Sequence, residues 1–265
     1  EMCIRDRINL AYAGSAIAGA YCSWALSTIV PMPAIMVFMF SMVASGVLGL
    51  LIYFCCFRFV PLQNPLATLL STVGALIFID EVIVHETDGM PQPYPALFSE
   101  VYFEIGEFYG IRGDLVFIFV LALIATVILL FLLYRTRLGL ATRAVAQRPV
   151  AAQLCGISVE QTNATTFVIT GVLGGLAGAM IGASVGVLSP LLSLPFTVKG
   201  LIVTVIGGLG SIPGAIVAGL MVGAFENFFQ LVRGVTERDM YVMLLLFVFL
   251  TFRPGGIFSK SIKRD

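Results

Sequence analysis

Long apolar runs, separated by short polar segments, limit more than any other feature how this sequence can fold. A helix needs about 20 predominantly apolar residues to cross a bilayer. Hydrophobic residues make up 59% of the chain and charged residues only 11%, whereas soluble domains carry roughly 25% charged residues. The sequence therefore predicts an all-α fold, a polytopic transmembrane helical bundle with about eight membrane segments.

Proline, glycine and charged residues bound the predicted membrane segments. Two of these segments, 196–206 and 240–252, are short for a bilayer at about 1.5 Å of rise per residue. Their length predicts that some helices in the second half are short or discontinuous. The full set of predicted segments is 8–30, 34–57, 66–84, 114–134, 162–188, 196–206, 215–232 and 240–252.

The two ends of the chain are predicted to lie outside the membrane domain, which covers residues 8–258. Residues 1–7 (EMCIRDR) neither begin with a methionine nor show the pattern of a signal peptide, and they are predicted to be non-native. The apolar run starts directly at Ile8, so a further helix is expected upstream. Residues 259–265 are predicted to be a cytoplasmic tail.

The placement of basic residues predicts the orientation. Alternating the eight segments puts eleven of the fifteen lysine and arginine residues on one side, or nine of thirteen without residues 1–7, and the positive-inside rule assigns this side to the cytoplasm. This side includes the polar segment 135–161, whereas the acidic segment 85–113 faces outward. Aromatic residues in 100–110 favour an interfacial helix there, and a docking surface for a binding protein is the alternative.

The cytoplasmic segment 135–161 is the most informative polar stretch. Residues 140–147 are rich in alanine and predict a short helix. Pro149 suits the first turn of a second short helix, and Gly156 suits its C-terminal cap. Two short helices with small side chains and a few arginines could dock on a partner subunit. They could equally lie on the membrane surface, with the arginines held by anionic lipid.

Four motifs in this sequence resemble, in the same order, those of the branched-chain amino-acid ABC importer permeases. The resemblance extends from Asn9 to Phe258, and the chain departs from the family pattern at Tyr12-Ala13 and at Asp80-Glu81. The similar runs are INLA at 8–11 with GAY at 19–21, GLATRAVAQ at 139–147 with AAQLCGI at 151–157, GGLGSIPGA at 207–215 and RPGGIF at 253–258.

The resemblance implies a permease subunit of an ATP-binding-cassette importer in the bacterial inner membrane. Its partners would be two ATP-binding subunits on the cytoplasmic side, a second permease subunit that is a paralogue, and a periplasmic solute-binding protein. The solute would be a small polar molecule, most simply a branched-chain amino acid, with urea or short amides as the alternative. The residues carried over to the ATPase-coupling loop are Gly139, Arg143, Ala144, Gln147, Ala151, Leu154 and Gly156.

Such a subunit is not an enzyme and needs no cofactor, because ATP is bound by the partner subunits. The sequence holds one histidine and no phosphate-binding loop, so neither a metal site nor an ATPase site is expected. No basic stripe suits nucleic acid. A proton-coupled secondary transporter, with Glu226, Asp80 and Glu81 as relay carboxylates, is the competing hypothesis.

Polar residues inside the predicted segments are candidates for the transport path, since charges in a membrane are costly. Glu226, beside Asn227, either lines the path or pairs with a polar group on another helix. Asn9 is a path residue or an interhelical hydrogen-bond partner, and Asp80 is expected near the outer mouth. Two glycine sets are interpreted structurally: Gly171, Gly174, Gly175 and Gly178 as a close helix crossing, and Gly207, Gly208, Gly210 and Gly214 with Pro213 as a hinge or a turn.

Overall fold

The computed structural model describes residues 9–30, 33–59, 65–95, 102–104, 110–208, 211–234 and 238–252. The predicted non-native residues 1–7, the tail 259–265 and the motif at 253–258 lie outside these ranges. The chain forms two compact units, one up to Leu194 and the other from Pro195 onward.

Helices account for most of the described residues, as the all-α prediction requires. The helices are α1 (Ala11–Ile29), α2 (Ala34–Ile52), α3 (Pro65–Thr87), α4 (Gly113–Arg135), α5 (Arg137–Gln147), α6 (Pro149–Leu154), α7 (Val159–Val185), α8 (Ser193–Gly207), α9 (Ile212–Arg233) and α10 (Arg238–Phe252). A π-helical turn, Tyr53–Arg58, follows α2, and a 3₁₀ turn, Pro190–Leu192, precedes α8. The strands are β1 (Gln92–Pro93), β2 (Tyr102–Glu104), β3 (Gly110–Arg112) and β4 (Val187–Leu188).

Six helical segments in the described ranges are long and apolar enough to cross a membrane. They confirm the predicted polytopic bundle. The segment that contains α8 is longer than expected, because the 3₁₀ turn extends it to Pro190–Gly207, 18 residues. The other segment that was predicted to be short, α10, is short in the structure, with an apolar stretch at Met240–Phe249. The six segments are Ile35–Arg58, Leu66–Thr87, Gly113–Arg135, Val159–Val185, Pro190–Gly207 and Ile212–Arg233.

The first helix, α1, is not among these six because it is less apolar. Packing explains its composition, since α1 contacts α2, α3 and α7, and most of its residues are buried. A helix that is surrounded by protein does not need an apolar side chain at every position. Buried serines fit this position, since Ser15 and Ser23 each donate a hydrogen bond to a carbonyl oxygen of α1.

The glycines of α7 bring main chains into contact, as the sequence predicted. An added Cβ at Gly171 would lie 2.6 Å from the carbonyl oxygen of Ser45 in α2. The hydroxyl of Ser41 in α2 donates to the Gly175 carbonyl at 2.8 Å. Gly178 meets the backbone of α1 at Ala16 in the same way. In a membrane such close approach replaces the hydrophobic effect as the source of helix association.

The outer segment after α3 is fastened to the end of α7. Strands β1 and β4 pair antiparallel, with Gln92 opposite Leu188. The Tyr94 phenol is within hydrogen-bond distance of the Ser23 hydroxyl at 3.0 Å, and burial raises the pKa of Tyr94 to about 12. The segments that the sequence assigned to the outer side therefore meet at one end of the first unit.

The expectation of an interfacial helix at 100–110 is wrong for the part that the structure describes. Strands β2 and β3 pair antiparallel, and Glu104 lies opposite Gly110. Aromatic spacing misled the prediction, since aromatic residues are common both in strands and in interfacial helices.

In the second unit, α8 and α9 are antiparallel and pack with α10 around one apolar cluster. The cluster joins Ile202 and Ile206 of α8 to Ala218 and Val222 of α9 and to Val242 of α10. At the far end of α9, the rings of Phe229 and Tyr241 stack with centroids 4.3 Å apart.

Candidate coupling segment and transport-path residues

A sharp bend between α4 and α5 sets the direction of the predicted coupling segment. The Thr136 side chain accepts a hydrogen bond from the Gly139 amide at 3.2 Å and so caps α5. Gly139 lies against the end of α4, where an added Cβ would come within 2.5 Å of the Leu132 carbonyl oxygen. Gly139 therefore makes the bend possible, and it is buried rather than offered to a partner.

Helices α5 and α6 agree with the two short helices that the sequence predicted. Pro149 occupies the first turn of α6. Gly156 follows the helix with a φ of +81°, a left-handed conformation that glycine adopts without strain. Val145 of α5 and Ala152 of α6 are 1% and 4% exposed, and both helices contact α7. The segment is thus a fixed part of the first unit.

The outward surface of this segment combines apolar and basic side chains. Leu154 is 85% exposed, Val150 68% and Leu140 62%, and Ala151 and Gln147 are also exposed. The Arg143 guanidinium lies over the Tyr134 ring, 5.3 Å from its centroid. Of the residues carried over from the family, Gly139 shapes the bend, Ala144 is half-buried, and the others face outward.

Glu226 forms an ion pair with Lys199, which the sequence analysis did not single out. Lys199 Nζ in α8 lies 2.7 Å from Glu226 Oε1 in α9, and the two side chains are 26% and 17% exposed. The ion pair agrees with one of the two interpretations of Glu226, namely that this residue pairs with a polar group on another helix. A basic residue in a short apolar segment was the signal that could have revealed it.

Asn227 lies beside this pair but is directed elsewhere. Its side chain is exposed and donates a hydrogen bond to the Gly223 carbonyl of the same helix at 2.8 Å. The structure therefore gives the neighbouring polar residues Glu226 and Asn227 different partners.

Asp80 and Asn9 lie in the first unit. Asp80 Oδ2 accepts a hydrogen bond of 2.5 Å from the hydroxyl of Ser193, while Oδ1 is buried without a hydrogen-bond partner among the described residues. Asn9 is 6% exposed, and its Oδ1 accepts from the Ala11 amide at 3.1 Å. Asn9 thus supports the start of α1.

The described residues on either side of the glycine-rich run belong to two antiparallel helices, since α8 ends at Gly207 and α9 begins at Ile212, which agrees with a turn rather than with a hinge within one helix. Gly207 and Gly214 approach so closely that a Cβ on Gly207 would lie 2.6 Å from the Gly214 carbonyl carbon. Gly208 has a φ of +93°, and Pro213 lies in the first turn of α9. The Ser211 hydroxyl caps α9 by accepting from the Gly214 amide. Gly210 lies outside the described ranges.

The π-helical turn is a further feature that sequence reasoning missed. Arg58 Nε lies 2.9 Å from Glu160 Oε1 in the first turn of α7, and the Tyr53 hydroxyl donates to the Glu160 carbonyl at 3.2 Å. These contacts lie at the end of the first unit where α6 leads into α7. No residue pattern in the sequence marks the switch from α to π geometry.

Together, the membrane-spanning helices, the glycine-mediated crossings and the polar segment between α4 and α7 define a multi-pass membrane protein. The chain belongs to the family described as branched-chain amino acid transport system / permease component, whose model matches residues 2–251. It is a permease component, as its sequence motifs predicted.

Two curated relatives match nearly the whole chain, and a third matches part of it. The high-affinity branched-chain amino acid transport system permease protein BraD of Pseudomonas aeruginosa is 29% identical, over 96% of this chain and 86% of the relative. LivH of Escherichia coli, with the same description, is 26% identical over the same shares. A probable LivH of Methanocaldococcus jannaschii is 28% identical over 60% of this chain and 48% of its own length. No solved structure matches the chain significantly.

Proposed function

We propose that this permease component carries branched-chain amino acids across the inner membrane as part of an ATP-driven importer. Two ATP-binding subunits bind on the cytoplasmic side, and one of them docks on the segment formed by α5 and α6, which is hereafter called the coupling segment. A second permease subunit, a paralogue, completes the path, and a periplasmic binding protein delivers the solute. This chain binds no ATP and needs no cofactor of its own.

The observation that carries the proposal is the apolar surface of the coupling segment. Leu154 and Val150 project from α6 at 85% and 68% exposure. Each side chain would gain roughly 1.5–3 kcal/mol on full burial. A lipid surface could also bury apolar side chains beside arginines, and membership of a family of transport-system permease components favours a groove on a partner protein instead.

The secondary-transporter hypothesis has less support. A proton relay needs a carboxylate that gains and loses a proton as the transporter turns over, but Glu226 is held in an ion pair with Lys199 at 2.7 Å. The names of the relatives favour branched-chain amino acids over urea and short amides. The solute proposal is tested by uptake of radiolabelled leucine into vesicles that contain the complete importer, with competition by isoleucine, valine, urea and acetamide.

Replacing Leu154 with glutamate is expected to weaken binding of the ATP-binding subunit by at least about tenfold, because a charge would enter an interface that buries an apolar side chain. The measurement is recovery of the ATP-binding subunit with the tagged permease in mild detergent. The same purification shows whether any ATP-binding subunit accompanies the wild-type chain.

Met90→Glu is the matched control, since Met90 is 65% exposed but lies in the outer segment between α3 and β1. This variant should retain the ATP-binding subunit. Equal recovery with Leu154→Glu and with the wild type would remove the coupling segment from the interface. Leucine uptake by the chain without any ATP-binding subunit would reject the importer itself.

A further inference from the structure

The π-helical turn Tyr53–Arg58 joins the end of α2 to two other helices. Tyr53 and Cys56 are 5% and 4% exposed. The Cys56 thiol donates to the Ser71 carbonyl of α3 at 3.6 Å, and the Tyr53 ring lies 5.3 Å from the Phe167 ring of α7. Turns of this kind are rare and occur frequently at functional sites.

Both polar side chains of the turn hold a single residue of α7. Arg58 pairs with the Glu160 carboxylate at 2.9 Å, and the Tyr53 hydroxyl binds the Glu160 main-chain carbonyl at 3.2 Å. The Arg58 guanidinium also lies 5.3 Å from the Phe54 ring centroid, which limits its orientations. The first turn of α7 is therefore attached to α2 through its backbone and through a side chain.

Glu160 is also the point at which the coupling segment enters the bundle. Helix α6 ends at Leu154, and α7 begins at Val159, so only four residues separate the two helices. A displacement of α6 acts on the start of α7 through this short connection. Because Glu160 lies in that first turn, the displacement reaches the π-helical turn directly.

The strength of the contact suits a connection that changes during transport. The Arg58 and Glu160 side chains are 48% and 58% exposed, and ion pairs this exposed contribute little to stability. Such a pair can break and form again at small cost. The buried Tyr53 ring keeps the two partners close when the ion pair is open.

We propose that Tyr53 and Arg58 are positioning residues that transmit movement of the coupling segment to α2, by holding Glu160 at the start of α7. This inference rests on the proposed function, since it assumes that ATP-binding subunits move the coupling segment. It adds a specific route by which that movement reaches α2, whose main chain lies against Gly171 and Gly175 of α7.

The test uses the complete importer in liposomes, with leucine uptake and ATP hydrolysis measured on the same vesicles. The double variant Tyr53→Phe with Arg58→Gln is expected to lower the uptake per ATP hydrolysed roughly three- to tenfold. Recovery of the ATP-binding subunit should not change. Arg58→Glu alone should also lower the ratio, and adding Glu160→Arg to it should restore most of the ratio, which a loss of fold would not allow.

Cys55→Ser is the control, because Cys55 is an exposed residue of the same turn, and this variant should keep the wild-type ratio. A wild-type ratio in the Tyr53→Phe and Arg58→Gln variant would overturn the inference, as would failure of the charge exchange to restore it. If the wild-type permease recovers no ATP-binding subunit, the proposed function fails first, and that result is separate from either of these.

Discussion

Replacing Gly171 with alanine is expected to lower the free energy of unfolding by about 3 kcal/mol. The new Cβ would lie 2.6 Å from the Ser45 carbonyl oxygen and 3.0 Å from the Gly46 Cα. Both are main-chain atoms of α2, so no side chain can rotate to make room, and α2 and α7 must separate. The measurement is the temperature above which the detergent-purified protein no longer elutes as a single symmetric peak in size-exclusion chromatography.

Gly74→Ala provides the comparison, because an added Cβ at Gly74 in α3 meets no atom within 4 Å. There the change should be neutral or stabilising by up to about 1 kcal/mol, since alanine favours the helix. Equal losses at Gly74 and Gly171 would show that the close contact of α2 with α7 is not what requires glycine.

Removing one charge of the Lys199–Glu226 pair is expected to lower the free energy of unfolding by about 3 kcal/mol, whether the change is Glu226→Leu or Lys199→Met. The charge that remains would be mostly buried, because the two side chains are 17% and 26% exposed. The double variant removes both charges and should recover most of the lost stability. Thermal unfolding of the three variants measures this coupling.

Asn227→Leu is the control for this cycle, because Asn227 is exposed and binds only a carbonyl of its own helix among the contacts described. Additive losses in the double variant would mean that the two charges do not stabilise each other.

Leucine uptake then decides the role of the Lys199–Glu226 pair. A double variant that is stable but inactive places the pair on the transport path, whereas a stable and active one makes it purely structural.

Much of the fold could be predicted from the sequence because local patterns determine it. Apolar length located the membrane segments, and Pro149 with Gly156 located α6, since both residues restrict the backbone locally. The close crossing at Gly171 and Gly175 followed from spacing. The extension of α8 to Pro190 could not be seen in the same way, because serine and proline at 189–195 interrupt the apolar pattern without ending the helical segment.

The candidate site was predictable in part. The motif residues located the coupling segment. They did not reveal that Gly139 forms a bend rather than a contact with a partner, because this depends on where α4 places the Leu132 carbonyl. The partner of Glu226 is 27 residues away along the chain, so no local pattern joins the two. The hydrogen bond and the ion pair that Tyr53 and Arg58 make with Glu160 likewise join residues more than 100 positions apart. They depend on how α2 packs against α7.

The moderate hydropathy of α1 has a consequence for how the protein enters the membrane during synthesis. A segment enters lipid from the translocon in proportion to its own apolar character, and α1 is not among the helices apolar enough to span by that measure. Its stability in the bilayer comes from contacts with α2, α3 and α7. We expect nascent chains that stop before α7 to leave α1 incompletely inserted. Glycosylation mapping of truncated chains would then show α1 spanning the membrane only once α7 has been made.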